Sequence, residues 1–597
     1  MNIPRPFVNS AELLPQGALR QIYRLLLRPL VERACGFHAL NAIYARLQGP
    51  YMTPQRFCEE GLQHLGVEVA RPTDDELGPL RDWNGPLVVM ANHPFGGAEA
   101  LAMMLLLERI RPSGWRMFAN RVLASTPELA PHLIAVDPFA RFQSANRQGI
   151  KQAQRFLADG GVLGAFPAGR VSGWSVAYDC VLDTPWSDHP ARLAAATGAA
   201  VVLLQVPGCN NGLFLKVPMC WPRLRALFLP RQMLRSNKPA MRFHIGPVMD
   251  PATAGSLVRA GNAGAKFHAR CQLLAELQNE PPTSNVSAVP DIAPAGDPIG
   301  LREEVDGLSS GAALLFEQGR FTALLFQKAE ASNLFHELSR LREITFRASG
   351  QGGGAAVDIT PEDNYYHQLV LWDRERQRLV GAYRLGFTEE VLRERGQEAL
   401  YSSHVFHMRP EFFQRIGPGI ELTRSCIHPD YQRDPLALAL LWRGLGKIVA
   451  ARPQIRCLFG SVTVPATLSD ASRAILVEHL RRHHSDVAEL LPLVVPKQSF
   501  QPPGIAHRLI AEAHRNDPIE TLRDTIRSAD GTPRSIPPLI RHYLSMNARF
   551  LAYHVEQDFG NALYCLLRVD LSKAPPAHLN RFVGREAAAA LLRKKTP

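Results

Sequence analysis

A histidine and a carboxylate lie close together in the segment Asn92-His93-Pro94-Phe95-Gly96-Gly97-Ala98-Glu99, directly after the apolar run 86–91. Such a run predicts a strand, which places His93 on the turn at the strand's carboxyl end and Glu99 in the first turn of the next helix. An imidazole with a pKa near about 6.5 can accept a hydroxyl proton at neutral pH when a carboxylate orients it. The glycine pair lets the backbone turn sharply and approach a ligand closely. The spacing therefore predicts a base that activates an alcohol.

A second turn, Phe166-Pro167-Ala168-Gly169-Arg170-Val171-Ser172, follows the apolar run 161–165. Backbone amides on such a turn can stabilise a developing oxyanion. A single histidine ahead of a helix is most often structural, but the glycine pair, the carboxylate and the second turn together favour catalysis. The two turns thus predict attack of an alcohol oxygen on a thioester carbonyl, without a covalent acyl-enzyme.

These segments resemble the lysophospholipid acyltransferases, and within them the branch that acts on lyso-ornithine lipid, over roughly residues 80–250. The resemblance implies that His93 is the base and Glu99 its partner. It also implies an acceptor-side turn formed by Phe166, Pro167, Gly169 and Ser172. Asn92, Gly96, Gly97 and Arg170 are further predicted substrate-binding residues.

The chain departs from this family at two places. Family members usually have Asp after four intervening residues, whereas Glu99 follows His93 after five. Ala168 stands where the glycerophosphate enzymes have Glu, which argues against a phosphate-bearing acceptor. Asp137-Pro138-Phe139, with Arg141 nearby, lies where a further family motif is expected.

The second half contains Gly381-Ala382-Tyr383-Arg384-Leu385 and the longer segment Glu421-Leu422-Thr423-Arg424-Ser425-Cys426-Ile427-His428-Pro429-Asp430-Tyr431. Residues 330–572 resemble the N-acyltransferases that make 3-hydroxyacyl amino acids, relatives of the acyl-homoserine lactone synthases and of the GNAT fold. An α-amine must be deprotonated before it attacks a thioester, and Glu421 is the predicted base or water organiser. Arg384 and Arg424, with Ser425 beside them, are predicted to bind the substrate carboxylate. The alternative is that Glu421 and the two arginines form a structural ion-pair network.

The segment Gln432-Arg433-Asp434-Pro435-Leu436-Ala437 stands where GNAT enzymes that use coenzyme A have a glycine-rich turn whose amides hold the pyrophosphate. Pro435 lacks an amide donor and Asp434 would repel phosphate. We therefore predict an acyl carrier protein as acyl donor, because a basic surface attracts this acidic partner. No cofactor and no metal are predicted.

The length of 597 residues is too great for one core. Residues 279–300 contain five prolines among small residues, the composition of a linker between an O-acyltransferase domain (1–278) and an N-acyltransferase domain (301–597). Alternating strands and helices predict α/β folds, one glycerolipid-acyltransferase-like and one GNAT-like. Residues 313–327 are predicted to be helical.

The net charge is +12, and residues 213–242 hold seven cations and no acid, with aromatic and leucine side chains among them. This mixture suits an anionic membrane surface, or alternatively a solvated loop beside a core strand. No nucleic-acid motif accompanies it. The chain shows no spanning segment and no signal pattern, and its nine cysteines have no paired spacing. We expect a cytoplasmic protein bound peripherally to the inner face of the membrane.

The two resemblances together imply ornithine lipid synthesis by two consecutive acylations. The C-terminal domain would join a 3-hydroxyacyl group from carrier protein to ornithine, and the N-terminal domain would acylate the 3-hydroxyl of the resulting lyso-ornithine lipid. Glycine, lysine or glutamine are alternative acceptors. Two further alternatives are a phospholipid-remodelling acyltransferase with a regulatory C-terminal half and a scaffold without catalytic activity.

Overall fold

We analysed a computed structural model of the chain, which describes residues 7, 20–21, 23–49, 51–124, 126–137, 146–217, 219, 222–235, 240–279, 290–517, 519–530 and 536–592. The chain divides into two compact units. The first comprises residues 1–279 and 504–518, and the second residues 280–503 and 519–597. The segment 504–518 thus belongs to the first unit, although it lies within the sequence that we assigned to the C-terminal domain.

The first unit is built on a six-stranded sheet of order β3-β2-β4-β1-β7-β8, in which only β8 is antiparallel to its neighbour. Its strands, with a separate hairpin β5–β6, are β1 (Leu87–Ala91), β2 (Trp115–Ala119), β3 (Leu133–Ala135), β4 (Val162–Ala165), β5 (Gly173–Ser175), β6 (Cys180–Leu182), β7 (Ala200–Gln205) and β8 (His244–Ile245).

Helices cover both faces of this sheet. Val89 and Ala91 of β1 belong to one buried cluster and Val88 and Met90 to the other, as the alternation of a strand requires. The α-helices of the unit span Arg28–Ala34, Phe37–Arg46, Pro54–His64, Asp74–Arg81, Ala98–Ile110, Arg121–Ala124, Arg147–Ala158, His189–Thr197, Gly212–Leu215, Pro222–Met233, Pro251–Arg259, Ala263–Asn279 and Ala506–Ala513, and a π-helix spans Tyr23–Leu27.

The second unit contains an eight-stranded sheet of order β17-β18-β15-β14-β12-β11-β10-β9, with one parallel pair, β14–β15. Its strands are β9 (Leu314–Gln318), β10 (Phe321–Gln327), β11 (His367–Asp373), β12 (Arg378–Phe387), β13 (Phe406–Met408), β14 (Gly419–Ile427), β15 (Cys457–Val464), β16 (Val494–Pro496), β17 (Arg549–Glu556) and β18 (Ala562–Asp570). Its α-helices span Pro298–Ser309, Ser332–Ala348, Thr388–Glu394, Ser402–Val405, Pro410–Ile416, Pro435–Ala451, Asp470–His484, Ile519–Asp530, Pro538–Ser545, Pro576–Val583 and Arg585–Leu592.

Strands β14 and β15 separate after a short pairing. They pair only over Gly419–Glu421 and Cys457–Phe459. Gly460 follows this pairing, and a Cβ there would lie 2.1 Å from the carbonyl oxygen of Leu422, so only glycine fits. Beyond this point β15 continues its pairing with β18. The carboxyl-terminal half of β14 therefore carries a backbone edge that β15 does not cover.

The mixed α/β class is confirmed, and the apolar runs 86–91 and 161–165 form β1 and β4 as predicted. The predicted helix at 313–327 is wrong, because β9 and β10 form a hairpin there and β10 pairs with β11 along its whole length. Pairing with neighbouring strands stabilises this segment as a hairpin despite its local helix propensity. None of the described helices combines the length and apolarity needed to cross a bilayer.

Candidate functional sites

The structure brings His93 and Glu99 together at the carboxyl end of β1. The Nδ1 of His93 lies 3.0 Å from the Oε1 of Glu99. That oxygen also accepts hydrogen bonds from the backbone amides of Phe95 (2.8 Å) and Gly96 (2.6 Å). Glu99 is fully buried within this turn. Its carboxylate therefore fixes both the backbone of the turn and the orientation of the imidazole. The Nδ1 faces Glu99, so the Nε2 of His93 is the nitrogen that can accept a proton.

Electrostatics favour protonation of this imidazole. Burial opposes the charge of His93 most strongly, but the charges of Glu99 and Asp183 and the hydrogen bond with Glu99 outweigh it and raise the pKa of His93. Burial likewise opposes the charge of Glu99, yet His93 and the backbone amides lower the pKa of Glu99. The pair therefore consists of an ionised acid and a histidine of increased proton affinity.

Asp183 supports the turn from behind, and the sequence analysis did not find it. Its carboxylate accepts hydrogen bonds from the backbone amide of His93 (3.2 Å), the Nε1 of Trp186 (2.9 Å) and the hydroxyl of Ser172. Asp183 is 90 residues from His93 in sequence and follows a short hairpin. No local spacing connects the two residues, so only the fold reveals this contact.

The Phe166 turn lies directly beside the histidine. The ring of Phe166 stacks on the imidazole with centroids 4.5 Å apart. The amide of Ser172 donates to the carbonyl of His93 (2.8 Å), and the amide of Gly169, at φ +61°, donates to the carbonyl of Phe166 (3.0 Å). These two amides are therefore occupied within the protein, and the oxyanion donors that we expected from this turn do not include them.

Two predicted acceptor residues have other surroundings. Asn92 is buried and exchanges two hydrogen bonds with the backbone of Val206, at 2.9 and 2.7 Å, which ties the end of β1 to the end of β7. Arg170 is half-buried and is not among the described residues that line the cavity at His93. Substrate contact by these two side chains therefore stays a prediction.

A helix from the basic stretch covers the glycine pair. Gly96 has φ +109°, and a Cβ there would lie 2.8 Å from the Cδ1 of Leu229. A Cβ on Gly97 would lie 2.2 Å from the Cε of Met233. At Gly96 the left-handed backbone favours glycine. At both positions a Cβ would displace the end of the Leu229 or Met233 side chain.

The basic stretch 213–242 does not act as one surface. Arg225 is buried, stacks over Phe214 and donates to the carbonyl of Ser172 (2.7 Å), and burial lowers the pKa of its guanidinium. This cation therefore supports the second turn and cannot contact a membrane. Residues 218, 220–221 and 236–239 of the stretch, and 138–141 of the Asp137 motif, lie outside the described residues.

A cavity of about 230 Å³ is lined by His93. Its lining is largely apolar and includes Phe166, Pro167, Gly169 and Ile150, with Asp137 as a charged member. The cavity joins the first turn, the second turn and the ends of β2 and β3. This arrangement can hold an apolar acceptor with its hydroxyl against a base.

In the second unit, Glu421 binds protein groups with both oxygens. Its Oε2 accepts hydrogen bonds from the hydroxyl of Tyr366 and the amide of Tyr401 (3.0 Å), and its Oε1 accepts one from the amide of Ser402 (2.6 Å). The side chain is fully buried. Glu421 thus holds the segment that carries Tyr401, and its role as a base stays a prediction.

Arg384 is also buried and belongs to an ion-pair network. Its Nε donates to the hydroxyl of Thr423 (2.9 Å), and its Nη1 lies 3.2 Å from the Oδ2 of Asp363. Asp363 also binds Arg342 at 2.9 Å. Burial opposes the charge of Asp363, but the two arginines outweigh it and lower its pKa to about 2. For Arg384 this geometry matches the structural alternative that we considered.

Arg424 lies in a bulge of β14, opposite Tyr383, together with Ser425. Its φ of +50° is unusual for a residue with a side chain. Its Nε lies 3.0 Å from the Oδ2 of Asp358, and its Nη1 donates to the hydroxyl of Tyr401 (2.7 Å). Such strained backbone is often associated with functional sites. The bulge lies on the part of β14 that β15 leaves unpaired.

A second histidine–glutamate pair lies beside this bulge. The Nε2 of His404 is 3.1 Å from the Oε1 of Glu362, and the imidazole stacks on Tyr401 with centroids 5.9 Å apart. The side chain of His404 is 48% exposed, whereas Glu362 is fully buried. No local spacing connects the two residues, because Glu362 is 42 residues from His404 in the sequence and reaches it only through the fold. Of the groups described in this unit's site, His404 is the base that solvent can reach.

The amino end of helix Pro435–Ala451 is closed to an anion. The Oδ1 of Asp434 accepts a hydrogen bond from the amide of Leu436 (2.9 Å), and Pro435 has no amide hydrogen. A carboxylate thus occupies the position at which a pyrophosphate would bind. Among the described residues, no cluster of three or more His, Cys, Asp or Glu side chains could hold a metal ion.

Comparison with known proteins identifies relatives of the second half. Residues 341–443, which include β11, β12, β14 and most of helix Pro435–Ala451, match the acetyltransferase (GNAT) domain family. A glycine N(alpha)-acyltransferase from Bacteroides thetaiotaomicron is 31% identical over 245 residues, which are 39% of this chain and 72% of that protein. Another, from Phocaeicola vulgatus, is 28% identical over 242 residues, which are 39% of this chain and 73% of that protein.

Among solved structures, the 1-acyl-sn-glycerophosphate (LPA) acyltransferase PlsC from Thermotoga maritima is similar at 13% identity and a TM-score of 0.25. This match covers 44% of this chain and 92% of that one. The matches to the glycine N(alpha)-acyltransferases extend over more than two thirds of those proteins, and the GNAT family matches the strands that carry Arg384, Glu421 and Arg424. The chain is an acyltransferase and belongs, through this part, to the GNAT-related family of the glycine N(alpha)-acyltransferases.

Proposed function

We propose that this protein makes an aminolipid in two steps, first N-acylating an amino acid and then O-acylating the product, with ornithine as the amino acid. The observation that carries the proposal is the presence of two histidine–glutamate pairs, one at the end of β1 in the first unit and one beside the bulge of β14 in the second. The intermediate would be lyso-ornithine lipid, whose free 3-hydroxyl is the nucleophile of the second step.

The first unit would perform the O-acylation. The Nε2 of His93 takes the proton of the lyso-lipid hydroxyl as its oxygen attacks the thioester carbonyl, and Glu99 stabilises the imidazolium that forms. The tetrahedral intermediate collapses, the carbon–sulfur bond breaks, and the imidazolium returns the proton to the leaving thiolate. The products are an ester and a free thiol, and the histidine is neutral again. The apolar lining of the cavity suits the acyl-bearing acceptor.

The second unit would perform the N-acylation. An amino acid reaches the site as an ammonium ion, so one proton must leave before its nitrogen attacks the thioester. His404 suits this task because Glu362 holds its Nε2 and leaves its Nδ1 for the incoming proton. Glu421 would position Tyr401, and Arg424 with Ser425 would bind the carboxylate of the amino acid at the bulge.

We further propose that an acyl carrier protein supplies the N-acyl group. The carboxylate of Asp434 at the amino end of helix Pro435–Ala451 disfavours the pyrophosphate of coenzyme A. The net charge of +12 favours an acidic partner. The products are lipids, and the protein would act at the inner face of the cytoplasmic membrane as a peripheral protein.

Glycine is the second candidate for the amino acid. The relatives that match this chain carry glycine in their names, and a glycine-derived lyso-lipid would have the same free 3-hydroxyl. Lysine and glutamine have no such support.

The test is a lipid profile of a bacterial host that lacks aminolipids, expressing the full chain, His93→Ala or His404→Ala. The full chain should give a diacylated aminolipid and His93→Ala only the monoacylated one, while His404→Ala should lower both by about 10²–10⁴-fold. Mass spectrometry distinguishes ornithine from glycine. Well-expressed chain without any new aminolipid would refute the proposal.

A further inference from the structure

Helix Arg147–Ala158 carries a row of cations on its solvent side. Arg147, Lys151 and Arg155 follow one another at four-residue intervals, and all three are exposed. Residues spaced in this way lie on one face of a helix. Among the ion pairs of the described residues, none involves these three side chains. The row therefore presents three charges that the described residues of the first unit do not pair with a carboxylate.

The cationic row forms one side of an open groove. Arg116 of β2 also lines this groove and stacks over Phe156 at 4.8 Å. Asp159 is the one acidic side chain among the described lining residues. The groove has a volume of about 750 Å³. Its charge and shape suit a macromolecular surface that is acidic.

The same helix also reaches the catalytic cavity. Asn146, at its amino end, and Ile150 both line the cavity at His93. The cationic row is displaced from these two residues by one position along the helix, a rotation of about 100°. A partner on the row thus lies on the helix face adjacent to the one that lines the cavity at His93.

We infer that this groove, defined by Arg116, Arg147, Lys151, Arg155, Phe156 and Asp159, docks an acyl carrier protein as the donor for O-acylation. The inference rests on the proposed O-acylation and assigns its donor. An acidic carrier complements the row, and its thioester-bearing arm would enter the neighbouring cavity. A membrane is a less suitable occupant, because the exposed positions 147–158 of this fully described helix carry Arg, Lys, Gln and Ala and no large apolar side chain that could insert.

The experiment measures O-acylation of purified lyso-lipid by the full chain, with acyl carrier protein, acyl-CoA or acyl-pantetheine as donor. In the variant Arg147→Gln/Lys151→Gln/Arg155→Gln, the KM for acyl carrier protein should rise about 10- to 100-fold at low salt, with kcat unchanged. The rate with acyl-pantetheine should not change. The control variant Arg33→Gln/Arg71→Gln/Arg259→Gln removes the same charge from exposed positions elsewhere in the unit and should keep the wild-type KM.

Four outcomes would overturn the docking surface. These are an unchanged KM for acyl carrier protein, an equal loss with acyl-pantetheine, an equal rise in the KM for acyl-CoA, and a loss confined to binding of phosphatidylglycerol vesicles. In all four, the wild-type chain still forms ester. If the wild-type chain forms no ester from any donor, the proposed O-acylation itself is wrong, and the inference is wrong with it.

Discussion

Replacement of Glu99 by glutamine should slow O-acylation sharply without unfolding the first unit. Glutamine has nearly the same shape as glutamate. Its carbonyl oxygen can still accept the hydrogen bonds that the amides of Phe95 and Gly96 donate to Glu99 at 2.8 and 2.6 Å. The change therefore removes mainly the negative charge that lies 3.0 Å from the Nδ1 of His93.

The magnitude follows from that distance. Two unit charges 3.0 Å apart attract each other by about 5 kcal/mol at an effective dielectric constant of about 20. The imidazolium of His93 forms only partly in the transition state, so about 3 kcal/mol of this attraction is lost, which corresponds to about 10²-fold in kcat. Loss of the preferred tautomer would increase the effect toward about 10⁴-fold.

The assay is the rate of ester formation from purified lyso-lipid as a function of pH. A neutral His93 is the active form, so the wild-type rate should rise with pH through a pKa that Glu99 has raised. In Glu99→Gln this rise should move to lower pH, because the charge that stabilised the imidazolium is absent. A merely structural role for Glu99 would lower the rate without moving the profile, and an unchanged rate with an unchanged profile would refute the reasoning.

Three further predictions concern stability, each measured by denaturant unfolding. Gly96→Ala places a side chain at φ +109°, which should lower the free energy of unfolding by about 1–3 kcal/mol and abolish most O-acylation. The control Gly78→Ala lies in a helix with free space around it and should be neutral or stabilising. Equal effects of the two substitutions would contradict the backbone argument. Asp517→Asn leaves the buried Lys266 ammonium, which contacts the Asp517 carboxylate at 2.7 Å, without its anion and should cost about 3–5 kcal/mol. Removal of both charges should cost less. Burial lowers the pKa of His514 to about 4, so the unfolded chain binds a proton between pH 6.5 and 4 that the folded chain does not. The free energy of unfolding should therefore fall by up to about 3 kcal/mol as the pH decreases through this range. In His514→Gln this pH dependence should be weaker.

The residues of the first site that are close together in the sequence could be predicted from their spacing alone. The apolar run 86–91, the glycine pair and an acid that follows His93 after five intervening residues already place His93 and Glu99 on one turn. A strand, a tight turn and a helix start leave few other arrangements. The next helix, Ala98–Ile110, likewise holds Glu99 in its first turn as predicted.

Contacts between distant residues could only come from the tertiary structure. Asp183 reaches the amide of His93, and Glu362 reaches His404, through folding alone, and no periodicity connects either pair. Burial also depends on the tertiary structure. The residues around Glu421 in the sequence do not reveal that three protein groups donate hydrogen bonds to its carboxylate oxygens.

The sequence by itself therefore determined the class of chemistry and the residues that share a turn, because these depend on a few adjacent backbone conformations. The tertiary structure decided which charged groups are buried and satisfied, which remain open to a substrate, and that the segment 504–518 completes the first unit. These properties depend on packing between elements far apart in the chain, where the cost of burying a charge is compensated only by a partner that the fold supplies.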